Sequence, residues 1–377
     1  MAEETFDYSL KDAQGTAVTP LPAARFDFAR YGEYEAERLE RCRRFAGASS
    51  GVLVYRRFRV PEVFSDGCAD FRGSLEKQLG ALSMSMDYPA DIPNFLEPWY
   101  GIGVVSSAFG VPYVWKEGQA PAVEPPFSSS ASALEALQGP VADSPEGKRN
   151  LEMLRFFLVE TKGRLPVSCG DVQSPLNIAS SYLMDTTSFM LELYDNPDGV
   201  RALLDRLAEL ERDYYSRQME LLGETLVRPG HGFASSRVFS GLGFSDDNFT
   251  LMGSDLYREC ALPSLAAAGS ALGGAVFHSC GNWADRASTV LEIPGLLMAD
   301  GAVGSRTDPS PNSGKTLGEA FAGTGVTLHV RIVGGEETVL REVESLWRPD
   351  LKLVVATYCE TPEEQERVYD GIHRICR

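Results

Sequence analysis

Basic side chains are scarce in this 377-residue chain: 35 Lys and Arg stand against 53 Asp and Glu, a net charge of −18. A protein that neutralises phosphates needs a basic face, so nucleic acid is not an expected partner. No apolar run approaches the roughly 18–20 residues of a membrane span, and no membrane partner is expected. The opening stretch, MAEETFDYSLKDAQG, is acidic and lacks the basic-then-apolar layout of a signal peptide. No GxGxxG follows an apolar run, which removes the main support for an open dinucleotide-binding sheet. Cysteine is not absent but unorganised: positions 42, 68, 169, 260, 280, 359 and 376 form an odd set without the spacing of a disulfide framework. Such thiols suit a reducing compartment, and a cytoplasmic protein is expected.

Periodicity supplies the architecture. Residues 25–47 and 68–87 read as amphipathic helices around a short strand at 52–57. The stretch 88–130 is irregular and rich in Pro, Gly and Ser, with aromatics that either line a cavity or pack a long loop. From 144 onward the pattern is regular, and Ser144-Pro145-Glu146 reads as a helix start. Strands are predicted at 165–172, 233–240, 274–280, 296–300, 326–332 and 351–359, with helices between them. GLGF (241–244) reads as a glycine turn. Alternating strands and helices over this length imply parallel βαβ units, and the expected fold is α/β, a (β/α)8 TIM barrel. Residues 1–24 are expected to be a loosely ordered lead-in. The domain reading is an N-terminal helical extension over 1–90 packed on a barrel over 91–377.

The stretch AVFHSCG (275–281) carries the main chemical signal. Positions i and i+2 of a strand share a side, so His278 and Cys280 can present an imidazole and a thiol to one point. A second strand, LKLVVATYC, ends in Cys359, which shares a face with Leu353, Val355 and Thr357. If that face points inward, His278, Cys280 and Cys359 meet at the barrel mouth and leave a fourth position open, as in catalytic zinc sites. The competing reading is that strand-end His and Cys side chains are simply buried.

Three stretches, FHSCG (277–281), YCETP (358–362) and GDVQSPLNIASSYL (170–183) followed by YDNPDGVRALLDRL, together carry a family likeness. Through them the chain resembles the uroporphyrinogen decarboxylase superfamily, and within it the cobalamin-dependent methyltransferase branch. Weaker similarity lies in 244–269 and 96–111. The resemblance implies zinc held by His278, Cys280 and Cys359, a small thiol substrate, and a methyl-corrinoid carried on a partner corrinoid protein. The implied metal lowers the thiol pKa so that a thiolate exists at neutral pH. Fourth-ligand or catalytic candidates are Asp171, Asp185, Asp246 and Asp247, each of which also reads as a helix cap or solvated residue. Trp99, Tyr100 and Tyr182 are candidates for the substrate mouth. Two alternatives stand: a decarboxylase acting on uroporphyrinogen, and a non-catalytic tetrapyrrole- or corrinoid-binding protein. The decarboxylase branch carries an Arg-Gln-Ala-Gly-Arg segment that has no counterpart here, although Arg56, Arg57 and Arg59 lie in the corresponding region. His231 reads as a loop residue that could reach the mouth, and His329 and His373 as structural.

Overall fold

Six parallel strands form the continuous part of the sheet in the computed structural model, which describes Phe6 and residues 14–377. They are β1 (Gly51–Arg56), β2 (Leu242–Ser245), β3 (Ala275–His278), β4 (Leu296–Ala302), β5 (Thr327–Ile332) and β6 (Lys352–Thr357), in the spatial order β1-β6-β5-β4-β3-β2. Two further positions complete the ring without regular strands. Asp91 N–H donates to Val54 O, Leu96 and Val167 form a parallel bridge, and Gln173 bridges Ser245 of β2. Residues 226–229 wedge in between: Val227 N–H reaches Val167 O, and Gly243 N–H reaches Pro229 O. The barrel expectation holds. Of the expected lead-in, residues 1–5 and 7–13 lie outside the described residues.

Three expectations change. The boundary at 90 does not separate an extension from a barrel, because β1 pairs with β6 from Gly51–Lys352 to Arg56–Thr357. The stretch 233–240 is not a strand; the glycine-rich GLGF run is, as β2. An added Cβ at Gly243 would sit 2.1 Å from the Phe233 ring, so the strand needs glycine there to let that ring fill the barrel interior beside Val276 and Met298. The helix expected over 176–193 is broken into a short turn at Pro175–Asn177, a π-turn at Ile178–Leu183 and a helix at Thr186–Asp195 capped by Asp185.

Strand alternation sorts side chains between two layers. On β5, Leu328, Val330 and Ile332 join the helix-facing core, which leaves His329 and Arg331 for the interior. On β6, Leu353 and Val355 pack with Val368 and Ile372 of the last helix, Pro362–Ile375, while Val354 and Ala356 pack inward with Leu53, Tyr55 and Ala234. Each such apolar side chain contributes roughly 1.5–3 kcal/mol when fully buried. The helix Phe28–Gly47 closes the lower end: Cys42 and Phe45 join the inner cluster, and Lys352 Nζ bonds Ala46 O. The upper end, where the strands finish, stays polar.

Candidate metal centre

On β3, Phe277 packs outward against Phe249 and Trp283, with ring centroids 5.4 and 5.5 Å away. Alternation therefore turns His278 inward, beside the Phe233 ring. The chain then bends at Gly281, whose φ of +73° is a left-handed conformation that suits glycine. Cys280 is left exposed just before the bend, with Sγ 3.5 Å from His278 Nε2. Asp247, in the turn after β2, closes the group. Its Oδ1 accepts from Cys280 N–H at 2.7 Å and lies 3.7 Å from His278 Nε2. One donor atom from each of Asp247, His278 and Cys280 lies within 4.8 Å of the other two. Ligands at roughly 2.0–2.3 Å from a tetrahedral zinc stand about 3.3–3.8 Å apart, so the His278–Cys280 and His278–Asp247 distances suit such an ion.

The other imidazole nitrogen is fixed from behind. His278 Nδ1 is 2.5 Å from Asp300 Oδ2, and His329 Nδ1 is 2.5 Å from Asp300 Oδ1. Strand register makes this possible: His278, Asp300 and His329 are direct partners across β3, β4 and β5. Arg331 Nε adds a bond to Asp300 at 3.1 Å. Burial opposes the charge on Asp300, but Arg331, His278 and His329 outweigh it and hold the carboxyl well below its usual range. For His278, burial disfavours the cation; the Cys280 sulfur and Asp300 prevail and push the imidazole up to about 10. Acceptors that hold a proton on Nε2 so firmly also suit a metal cation in its place.

A hydrogen-bonded layer surrounds the group. Asn177 Nδ2 donates to Asp247 Oδ2 at 3.3 Å and to Gln173 Oε1 at 3.1 Å. Gln173 Oε1 also accepts from Tyr182 OH at 3.0 Å, and Gln173 Nε2 donates to Asp171 Oδ1 at 2.6 Å. Asp171 in turn accepts from Trp99 Nε1 at 2.8 Å and lies 3.3 Å from His231 Nε2, while His231 Nδ1 is 3.1 Å from Glu97. Of the predicted residues, Trp99, Asp171 and Tyr182 thus join the site through Gln173, and Asp247 sits in it.

The other candidates fall elsewhere. Asp185 is an exposed helix cap that accepts from Ser188 N–H. Asp246 is buried beneath the site, bonded by Ser174 and Tyr257 hydroxyls at 2.6 Å each, and burial raises it to about 6. The Tyr100 ring packs with Phe71, Tyr113 and Trp115.

Cys359 requires a correction. The face it shares with Leu353, Val355 and Thr357 is the helix side of β6, since Thr357 Oγ1 bonds Gln365 of the last helix. Cys359 is buried in that outer core and is not one of the clustered donors. Burial, aided by Glu364, pushes its thiol up to about 12. Parity within the strand was read correctly, but which face is the inner one is set by the neighbouring layers. Sequence reading missed Asp300, Gln173, Asn177 and Arg331. Only Asp300 left a signal, as an aspartate on the apolar strand LLMAD.

Residues 98–227 match the family model described as Uroporphyrinogen decarboxylase (URO-D). Among solved structures, a methyltransferase from Methanosarcina mazei is similar with a TM-score of 0.63 at 15% identity, over 90% of this chain and 98% of that one. No curated protein matches the sequence. The matched segment holds Trp99, Asp171, Gln173, Asn177 and Tyr182, and the structural likeness extends over the rest of the ring. The chain thus resembles the uroporphyrinogen decarboxylase family over residues 98–227 and shares the fold of the methyltransferase structure over most of its length.

Proposed function

We propose that this protein is a methyltransferase in which Asp247, His278 and Cys280 hold a zinc ion that activates a thiol substrate toward a methyl-corrinoid on a partner protein. One observation carries the reading: an O, N, S donor set within 4.8 Å, with His278 at tetrahedral edge spacing from both Cys280 and Asp247, at the C-terminal end of barrel strands where TIM-barrel sites lie. Three protein ligands leave a fourth position for substrate. The structural likeness to a methyltransferase from Methanosarcina mazei supports the same class.

Bound zinc would supply a Lewis acid that keeps the substrate sulfur deprotonated near neutral pH. The protein's own part is positional. Asp300 keeps the proton of neutral His278 on Nδ1, which turns the Nε2 lone pair toward Cys280 and Asp247. Asn177 and the Cys280 N–H hold Asp247 in place. A methyl-corrinoid on the partner would supply the methyl group to the thiolate sulfur, its cobalt would keep the electron pair of the broken bond, and the thiol proton would pass to bulk water. Elemental analysis of the purified chain tests the first half: stoichiometric zinc that is lost in Cys280→Ser is expected. Demethylation of free methylcobalamin by the zinc-loaded chain and a thiol tests the second. A chain that retains no zinc and leaves methylcobalamin intact would sink the reading.

The family match itself favours a second reading, decarboxylation of uroporphyrinogen. It requires coproporphyrinogen as product under anaerobic conditions, and absence of that product removes it.

A further inference from the structure

At the lower end of the barrel, away from the metal group, a cavity of about 380 Å³ lies between the strand starts and the end of the helix Phe28–Gly47. Its walls include Phe45, Phe239, Leu297, Met298 and Val326, and Lys352 is the one charged side chain that lines it among the described residues. Strand register builds the inner wall: Met298, Thr327 and Lys352 are direct partners across β4, β5 and β6. That row lies one inward step below Asp300, His329 and Val354, so the cavity and the metal group occupy opposite ends of one interior. Lys352 shares its face with Val354 and Ala356, which is why its stem turns inward. Ala46 O accepts one N–H from Nζ at 3.0 Å, and the Phe45 ring centroid lies 5.1 Å from Nζ. No carboxylate lines the cavity to pair with the ammonium, although acidic side chains outnumber basic ones 53 to 35 in the chain. Burial pulls the Lys352 pKa down, because a charge that loses water without gaining a counter-ion is disfavoured.

We propose that this lower cavity is a binding site for a medium-chain monocarboxylate, its carboxylate on Lys352 and its aliphatic tail between Phe239, Leu297, Met298 and Val326. Small-molecule sites run to roughly 300–1,000 Å³ and combine apolar walls with a few polar groups that fix orientation, which is the make-up found here. A carboxylate gives the ammonium the counter-ion it lacks, one charge against one. An uncharged lipid would leave Lys352 unpaired, and a phosphate dianion would meet a single cation on these walls. Leu297, 38% exposed at the rim, is an apolar side chain that the tail would take out of water. The site is separate from the metal group and does not depend on the thiol-activating reading.

Isothermal titration of the full chain with octanoate, 1-octanol and acetate tests the proposal. Octanoate is expected to bind at a single site, about tenfold more tightly than octanol and about a hundredfold or more above acetate. Lys352→Met should bring octanoate down to octanol's affinity while octanol stays within about threefold, which also shows that the variant keeps its fold. Ser240→Trp, at an exposed lining position, should fill the cavity and abolish binding of both. Cys280→Ser should leave octanoate binding unchanged, so failure here and failure of the metal reading are told apart. Octanoate that binds at many sites, or no more tightly than octanol, overturns the proposal. So does an absence of octanoate binding, and a dimer that Ser240→Trp splits would then assign this face to a second copy of the chain.

Discussion

Asp300 accepts from three inward side chains at once, His278, His329 and Arg331, and the first of these bonds decides which nitrogen of His278 faces Cys280. Asp300→Asn keeps the shape but can offer an N–H where an acceptor is needed. Metal affinity should fall about 10–100-fold, measured by competition with a chromophoric chelator, with the fold retained. The same assay separates the two cysteines that end strands. Cys280→Ser should abolish stoichiometric retention, whereas Cys359→Ser should leave it unchanged because that thiol lies in the outer core. Glu211 offers a stability test. Both of its carboxyl oxygens are buried without a partner among the described residues, and burial, then the charge of Asp246, push its pKa well up. The folded chain thus holds this proton to higher pH than the unfolded chain does, so stability falls as pH rises above the ordinary glutamate range. Glu211→Met should raise stability at pH 8 by about 1–4 kcal/mol in urea unfolding and remove that part of the pH slope. An unchanged or lower midpoint would show that Glu211 is satisfied in solution.

Elements meet at Asp91, which stands where a regular strand is missing from the ring. Its carboxylate accepts from Val54 N–H of β1 at 2.8 Å, from Arg41 of the bottom helix at 2.9 Å, and from Tyr369 and His373 of the last helix at 2.7 and 2.9 Å. One buried carboxylate thereby ties three elements together beside an irregular segment. Asp91→Ala leaves several donors unmet and should cost about 3–5 kcal/mol, read from the denaturation midpoint. The sequence marked the helices and strands through their periodicity, and the capping at Ser144 and Thr361 is as their residue types suggest. It misread GLGF as a turn because glycine is a turn signal unless a distant side chain claims its space. Here Phe233 does so, from ten residues upstream.

For the whole molecule, acid is the informative stress. Burial opposes ionisation of Glu97, but Arg57, His231 and the Gly232 N–H hold it down to about 2; Asp91 and Asp300 are depressed likewise. A depressed carboxylate stabilises the fold fully above its unfolded value and loses that contribution as pH falls toward its folded one. The melting temperature should therefore drop steeply between about pH 4.5 and 2 through these groups, and Glu97→Gln should make the drop shallower. Local chemistry was within reach of the sequence by itself: alternating periodicity fixed an α/β barrel, and i, i+2 spacing put His278 and Cys280 on one side of a strand. The third member of the group was not. Cys359 and Asp247 each end a strand or begin a turn, and nothing in their local pattern says which faces the interior. That choice depends on where the last helix packs and how β2 registers against β3, contacts made across more than thirty residues of chain. Tertiary structure alone placed Asp247 against His278 and sent Cys359 to the helix side, because the inner face of a strand is defined by its neighbours.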